Sequence, residues 1–352
     1  MIKKIFNCIS IHNGGGITYL SMMYDEIDKK GNLVLLDDRA KKSIKTFRYA
    51  EIKFFKKNFL RNIFVFKERL KYTLIFQRYL RKNNKKEFIN EYYLNGIPPL
   101  IRFSICTNKV FILLQNKNLF SYLNYLDNKL FLKINFIIYH LIHSFLINCF
   151  LKNTDTLIVQ TNSMRQTILR MKPQNKIVLK DNIWKNITLK SYHENIIKNK
   201  QDNINKIILE KIYDLSKIYK LFFYPSSFDP HKNHKILFKV FNQLSCNTKN
   251  NIKLIVTINK KKIPSEYTNN QSILFIGNQT ISTINKIYKL VDFLIFPSLN
   301  ESLGLPLIEA SFYNLPIIAS NLDYVFDVCN PDYTFNPFSE EDIYKEILKS
   351  IG

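Results

Sequence analysis

Two glutamates, Glu301 and Glu309, stand with seven residues between them, on either side of Gly304, Leu305 and Pro306. A carboxylate can trade a proton or accept hydrogen bonds, two donors at a time where paired hydroxyls face it. Two carboxylates also form the minimum equipment of a glycoside hydrolase, but that chemistry needs them flanking one bond. Here both come from one side of one predicted domain, which disfavours hydrolysis. A third candidate, Lys232, ends the run FFYPSSFDPHKN at 222–233, just before a helical pattern that starts near His234. A loop lysine beside a helix N-terminus pairs with a diphosphate as a point charge. Taken alone, Lys232 also reads as a solvated helix-start lysine, Glu301 as a surface loop residue and Glu309 as a helix decoration. The residues leave both readings open.

A strand–turn–helix–strand unit positions the two glutamates. FLIF at 293–296 is a short apolar run, and Pro297, Ser298 and Asn300 break it. Pro306 sits where a first helical residue needs no N–H partner. A helix is expected over 305–313 and a strand over 316–319. A loop carboxylate and a helix carboxylate then face the open end of a parallel sheet, where α/β folds bind ligands. The alternation extends upstream, with strands at 221–224, 252–258 and 273–276 and helices at 234–244 and 281–290.

The N-terminal half repeats the pattern. Strands are expected at 4–11, 32–37, 52–55, 88–94, 110–114, 157–160 and 177–179. An amphipathic segment at 17–27, a long basic helix near 62–81 and an apolar helix near 131–151 lie between them. Strand–helix alternation in both halves predicts two doubly wound Rossmann-like domains facing across a cleft. The polar, Asn- and Lys-rich stretch 184–220 reads as a linker between domains at 1–183 and 221–352. Gly14, Gly15 and Gly16 follow the first strand, where glycines let the backbone approach a ligand and aim N–H groups at it. Taken alone, such a turn is more readily read as purely structural.

Length and charge narrow the partners. A chain of 352 residues with 46% hydrophobic content suits two folded domains rather than disorder. No apolar run reaches the length of a membrane span and no signal peptide pattern opens the chain, so a cytosolic protein is expected. The net charge of +24 is uneven: residues 1–180 hold 32 Lys/Arg against 11 Asp/Glu, and residues 181–352 hold 20 against 17. From Lys41 to Lys86 the count is 16 against 2, interleaved with aromatic residues. Such a surface can hold an anionic bilayer, or be a solvated face enlarged by a Lys-rich composition. No nucleic-acid module accompanies it, so a nucleic-acid partner is not expected. His140 and His143 lie one turn apart without a third ligand, and the five cysteines are scattered. No metal site or disulfide framework is expected.

The run Pro297-Ser298, Glu301-Ser302-Leu303-Gly304-Leu305-Pro306, Glu309-Ala310 resembles the signature of retaining GT-B glycosyltransferases of family 4. Ser302 stands where that family usually has Gly, and Leu303 where it has Phe. Asp229-Pro230-His231-Lys232-Asn233 resembles a second landmark, in which an arginine precedes a Lys-Asn pair. Ser227 occupies the arginine position, as a Tyr-Pro form of the family allows. Gly14 to Gly16 with Tyr19-Leu20, Leu36-Asp37-Asp38-Arg39, Pro98-Pro99 and Val159-Gln160-Thr161 resemble transferases of bacterial surface-polysaccharide assembly. Gln115-Asn116 stands where His-Asp is common, which places Asn116 on the acceptor side and leaves no base to name. The final crossing helix of the family is abbreviated or absent.

The resemblance implies a GT-B fold and a nucleotide-diphosphate sugar donor. Lys232 and Ser227 would meet the diphosphate, and Glu301 the donor sugar. Glu309 would take the ribose hydroxyls, while the backbone of Ser302, Leu303, Gly304 and Leu305 approaches sugar and phosphate. Lys232 and Glu301 are the residues expected to bear on catalysis, through positioning and charge stabilisation along a front-face route. No metal or other cofactor is expected. The acceptor would be polyprenyl-linked or a glycan, in O-antigen, capsule or lipopolysaccharide assembly. The Lys41 to Lys86 segment would then hold the enzyme at the inner face of the plasma membrane. Alternatives are an inactive GT-B subunit acting as a membrane-bound assembly partner and a sugar-nucleotide epimerase on the same fold.

Overall fold

The computed structural model describes residues 4–9, 11, 14–42, 47–55, 74, 90–94, 96, 98, 109–114, 147–180, 205–247, 251–268 and 270–352. The chain divides into two compact units, residues 1–200 and 201–352. Asn116, His140, His143 and most of the segment from Lys41 to Lys86 lie outside the described residues.

The first unit is built on seven parallel strands: β1 (Lys4–Cys8), β2 (Asn32–Asp37), β3 (Glu51–Phe55), β4 (Asn90–Tyr93), β5 (Val110–Leu113), β6 (Thr156–Val159) and β7 (Lys176–Leu179). Their spatial order is β3-β2-β1-β4-β5-β6-β7, so the winding reverses between β1 and β4. Near-continuous apolar strands such as NLVLLD, buried along its whole length, are what a parallel sheet covered on both faces demands. Gly14, Gly15 and Gly16 form the first turn of the helix Gly14–Met22, which follows β1 at that reversal. The glycines expected ahead of the helix therefore lie inside its N-terminus. Asp37 closes β2 and holds Arg39 through two hydrogen bonds to its side chain, at 2.8 and 2.7 Å.

The second unit carries six parallel strands: β8 (Lys220–Tyr224), β9 (Ile252–Val256), β10 (Ile273–Phe275), β11 (Phe293–Phe296), β12 (Ile317–Ser320) and β13 (Tyr333–Phe335). The order β10-β9-β8-β11-β12-β13 reverses between β8 and β11. One core of aromatic and branched side chains spans the unit, and Phe222, Phe223, Tyr224, Phe241 and Phe296 are fully buried in it.

The helix Lys206–Ser216 belongs to this unit, inside the span read from sequence as linker. Asn205 caps it, accepting from Ile208 N at 3.2 Å, and Ile212 is fully buried. Ile208, Leu209, Ile212 and Leu215 form a helical stripe that the surrounding Lys and Asn residues obscure in the sequence. The C-terminal helix Glu340–Ile351 packs on the helix His234–Asn247 and on β13. Its first turn carries Glu340, Glu341 and Asp342, which suits the positive end of the helix. Among the described residues no helix is long and apolar enough to cross a membrane.

Candidate functional site

Strand order alone singles out one place in the second unit. Where the winding reverses, the loops after neighbouring strands diverge and leave a crevice at their carboxyl ends. The loop after β8 is residues 225–233 and the loop after β11 is residues 297–304. These two loops carry Lys232 and Glu301.

A ladder of hydrogen bonds stitches them together. Tyr224, fully buried at the end of β8, donates its hydroxyl proton to the Lys232 carbonyl at 2.9 Å and shares a 2.7 Å hydrogen bond with Ser298 Oγ. Burial, with the Glu301 carboxylate nearby, holds its phenol well above the usual value, so it stays a donor. Leu299 N donates to the His231 carbonyl at 2.8 Å. Tyr324 Oη donates to the Ser298 carbonyl at 2.6 Å. A short 3₁₀ turn, Pro230–Lys232, ends in Asn233 with a left-handed φ of 57°, and the Asn233 amide donates to the Pro337 carbonyl at 2.7 Å.

On this frame Lys232 Nζ meets Glu301 Oε1 at 2.5 Å, with only 15% and 12% of the two side chains exposed. Ser227 turns instead to Asp229, whose carboxylate accepts its hydroxyl. Glu309 lies half-buried on the helix Leu305–Phe312 and accepts from Tyr288 Oη at 2.9 Å. Tyr288 is itself wedged between Phe223 and Tyr313. The helix begins at Gly304, whose φ of 69° is left-handed. A Cβ there would come within 3.0 Å of Leu307 Cδ1, so both backbone and space call for glycine. Leu303, beside it, is buried as well.

Sequence reasoning passed over His234 except as a helix start. It is 2% exposed, and its Nε2 contacts Ser226 Oγ at 2.8 Å. The Ser226 backbone is pinned to Thr257 by two further hydrogen bonds, of 2.9 and 3.1 Å. Burial, and then the Lys232 charge, hold the His234 imidazole well below its usual pKa, so it is neutral. A positional signal exists: His234, Phe238 and Phe241 share one helical face.

Residues 205–350 match the family model described as glycosyl transferases group 1. The matched residues lie wholly within the second unit, residues 201–352. No protein with a curated function is similar in sequence. Solved structures resemble the chain at low identity. The sucrose-phosphate synthase of Thermosynechococcus elongatus superposes with a TM-score of 0.67 at 14% identity, over 99% of this chain and 90% of that one. WaaG, a glycosyltransferase involved in lipopolysaccharide biosynthesis, gives 0.62 at 13%, over 99% and 90%. Anabaena HepE, crystallised with UDP and glucose, gives 0.60 at 14%, over 100% and 90%. These likenesses establish the GT-B fold class with its two parallel α/β sheets, as the sequence led us to expect.

Within the matched residues the structure brings Lys232 and Glu301 together and holds Glu309 on a neighbouring helix. Ser227 is placed on the same loop as Lys232 and contributes no charge.

Proposed function

We propose that this chain is a retaining glycosyltransferase that moves a sugar from a nucleotide-diphosphate donor to a polyprenyl-linked or glycan acceptor. One observation carries the reading. A lysine and a glutamate from two loops of a group 1 glycosyltransferase domain meet at the topological switch point. Lys232 and the N-terminal end of the helix Leu305–Phe312 supply positive charge for a diphosphate. Glu301 accepts from hydroxyls of the donor sugar, and Glu309 accepts from the ribose.

In the reaction the bond between the anomeric carbon and the distal phosphate oxygen breaks. The acceptor oxygen bonds to that carbon on the same face, and its proton passes to the departing phosphate. The protein's part is positioning and stabilisation of the leaving charge. Lys232 and the helix end serve the diphosphate, so the reading requires no metal. The basic, aromatic segment from Lys41 to Lys86 holds the enzyme on an anionic inner leaflet, where lipid-linked acceptors for O-antigen, capsule or lipopolysaccharide reside. Equal flotation with neutral and anionic vesicles would overturn that part.

Related folds crystallised with UDP and UDP-glucose make those ligands the first probes. Incubating the chain with labelled nucleotide sugars and a bacterial lipid extract should yield a glycosylated lipid or glycan of unchanged anomeric configuration by NMR. Failure of the wild-type chain to bind any nucleoside diphosphate would overturn the enzyme reading. A second reading, an inactive assembly subunit, draws on Ser227, which contacts Asp229 and adds no cation to the loop. It predicts no turnover with any donor and acceptor. A third, an epimerase, predicts product from donor alone.

A further inference from the structure

Lys232 is the only lysine or arginine in the two loops that meet at the switch point, residues 225–233 and 297–304. Its ammonium is already occupied by Glu301 at 2.5 Å. Both side chains are largely withdrawn from water, so each charge relies on the other where solvent would otherwise serve. Among the described residues, the charged atoms of the pair make no second hydrogen bond. Two anions therefore compete for one cation as soon as a diphosphate arrives.

The competition has different outcomes for the two forms of nucleotide. A bare nucleoside diphosphate takes the ammonium and leaves a dry carboxylate beside a phosphate, an arrangement of like charges. A sugar on the distal phosphate restores the balance. Its hydroxyls donate to the carboxylate that the lysine has left, and an ionised carboxylate accepts several such bonds.

We propose that the Lys232–Glu301 pair discriminates the intact nucleotide sugar from the bare nucleoside diphosphate, weakening the product's hold relative to the donor's and so promoting its release. The inference rests on the donor-site reading above and adds a direction of selectivity to it. Glu301 acts by two opposed effects, attraction for hydroxyls and repulsion of an unesterified phosphate. No second Lys or Arg in the two loops dilutes the competition.

Calorimetry on the full chain, with UDP, UDP-glucose, GDP and GDP-mannose as probes, tests it. Glu301→Gln removes the competing charge and keeps the shape. The variant should bind the diphosphate about tenfold tighter while the nucleotide sugar gains nothing, so the ratio of the two Kd values falls about tenfold. Glu341→Gln makes the same change in net charge at a side chain that is 76% exposed, and it should keep the wild-type ratio. Should Glu301→Gln fail to give a cooperative melt, Glu301→Asp, which withdraws the carboxylate by one methylene, should move the ratio in the same direction by a smaller factor.

Unchanged diphosphate affinity in the variant that folds would overturn the inference. So would an equal gain in Glu341→Gln, or a wild type that binds both forms alike. A wild type that binds none of the four probes would overturn the donor-site reading itself, so the two failures are distinguishable.

Discussion

Lys232 Nζ lies 2.5 Å from Glu301 Oε1 although 69 residues separate them along the chain. The contact follows from topology: β8 and β11 are hydrogen-bonded neighbours, and the winding of the sheet reverses between them. The loops after both strands thus open onto one crevice, and the Tyr224 hydroxyl ties the Lys232 backbone to Ser298. The pair is a product of fold, strand end and one buried phenol acting together.

Removing the lysine should therefore affect ligand and fold separately. Lys232→Met deletes the cation proposed to face the diphosphate, and donor affinity should drop at least about thirtyfold, on the order of 2 kcal/mol. It also leaves the Glu301 carboxylate unpaired at 12% exposure, so the melting temperature should fall by several degrees, on the order of 1–2 kcal/mol. Lys232→Arg should recover most of the stability and part of the affinity. Titration calorimetry and thermal unfolding of the same preparations check both effects.

Gly304 should tolerate no side chain. Its left-handed φ disfavours an L-residue by about 1–2 kcal/mol, and a new Cβ would press on Leu307 Cδ1 at 3.0 Å. Gly304→Ala should lower thermal stability by about that amount. It should also weaken donor binding, because the start of the Leu305–Phe312 helix shifts away from its place beside Glu301. Unchanged affinity alongside the lower stability would detach this helix end from the site.

Much of this arrangement was legible in the sequence, for identifiable reasons. Strands 32–37 and 293–296 could be placed to the residue because unbroken apolar runs end in turn residues. The reversal of winding in each sheet was implied by strand–helix alternation. Elements that fell outside the reading lacked such contrast. β13 is a three-residue edge strand between Pro331 and Pro337, and the Lys206–Ser216 stripe is diluted by lysine and asparagine. Of the site, Lys232, Glu301 and Glu309 were visible as types at a spacing, whereas the ion pair between two of them needed the strand order. Burial of His234 depends on helix phase, which a single histidine does not announce.

Tyr288 is a positioning residue for Glu309. Its hydroxyl donates to Glu309 Oε2 at 2.9 Å, while its ring stacks on Tyr313 with centroids 5.4 Å apart. Tyr288→Phe keeps the stack and removes the hydrogen bond. KM for the nucleotide sugar should rise about three- to tenfold with kcat little changed, as befits about 1 kcal/mol of lost orientation at a half-buried carboxylate. A fall in kcat at constant KM would contradict it.

Divalent cations should prove dispensable for turnover. The proposed charge complement of the diphosphate is Lys232 together with the N-terminal end of the Leu305–Phe312 helix. Rates measured in EDTA and in added magnesium should agree within about twofold, since neither changes that complement. Abolition of activity by EDTA with restoration by one metal would require acidic ligands that this reading does not assign.

His234 should leave a signature in the dependence of stability on pH. Burial pushes its folded-state pKa well below the ordinary 6.5, so the folded imidazole stays neutral where the unfolded chain takes up a proton. Its contribution is fully present above about pH 6.5. As pH falls below that value, the unfolded state gains protons that the folded state refuses, and stability declines toward the folded-state pKa. The slope can reach about 1.4 kcal/mol per pH unit. His234→Gln keeps a polar atom near Ser226 but cannot titrate. Its stability should be lower than wild type at pH 7.5, and the gap should narrow by about 1 kcal/mol at pH 5.5 as the wild type loses its advantage. Parallel stability curves for the two proteins between pH 7.5 and 5.5 would show that His234 takes up its proton in the folded state after all.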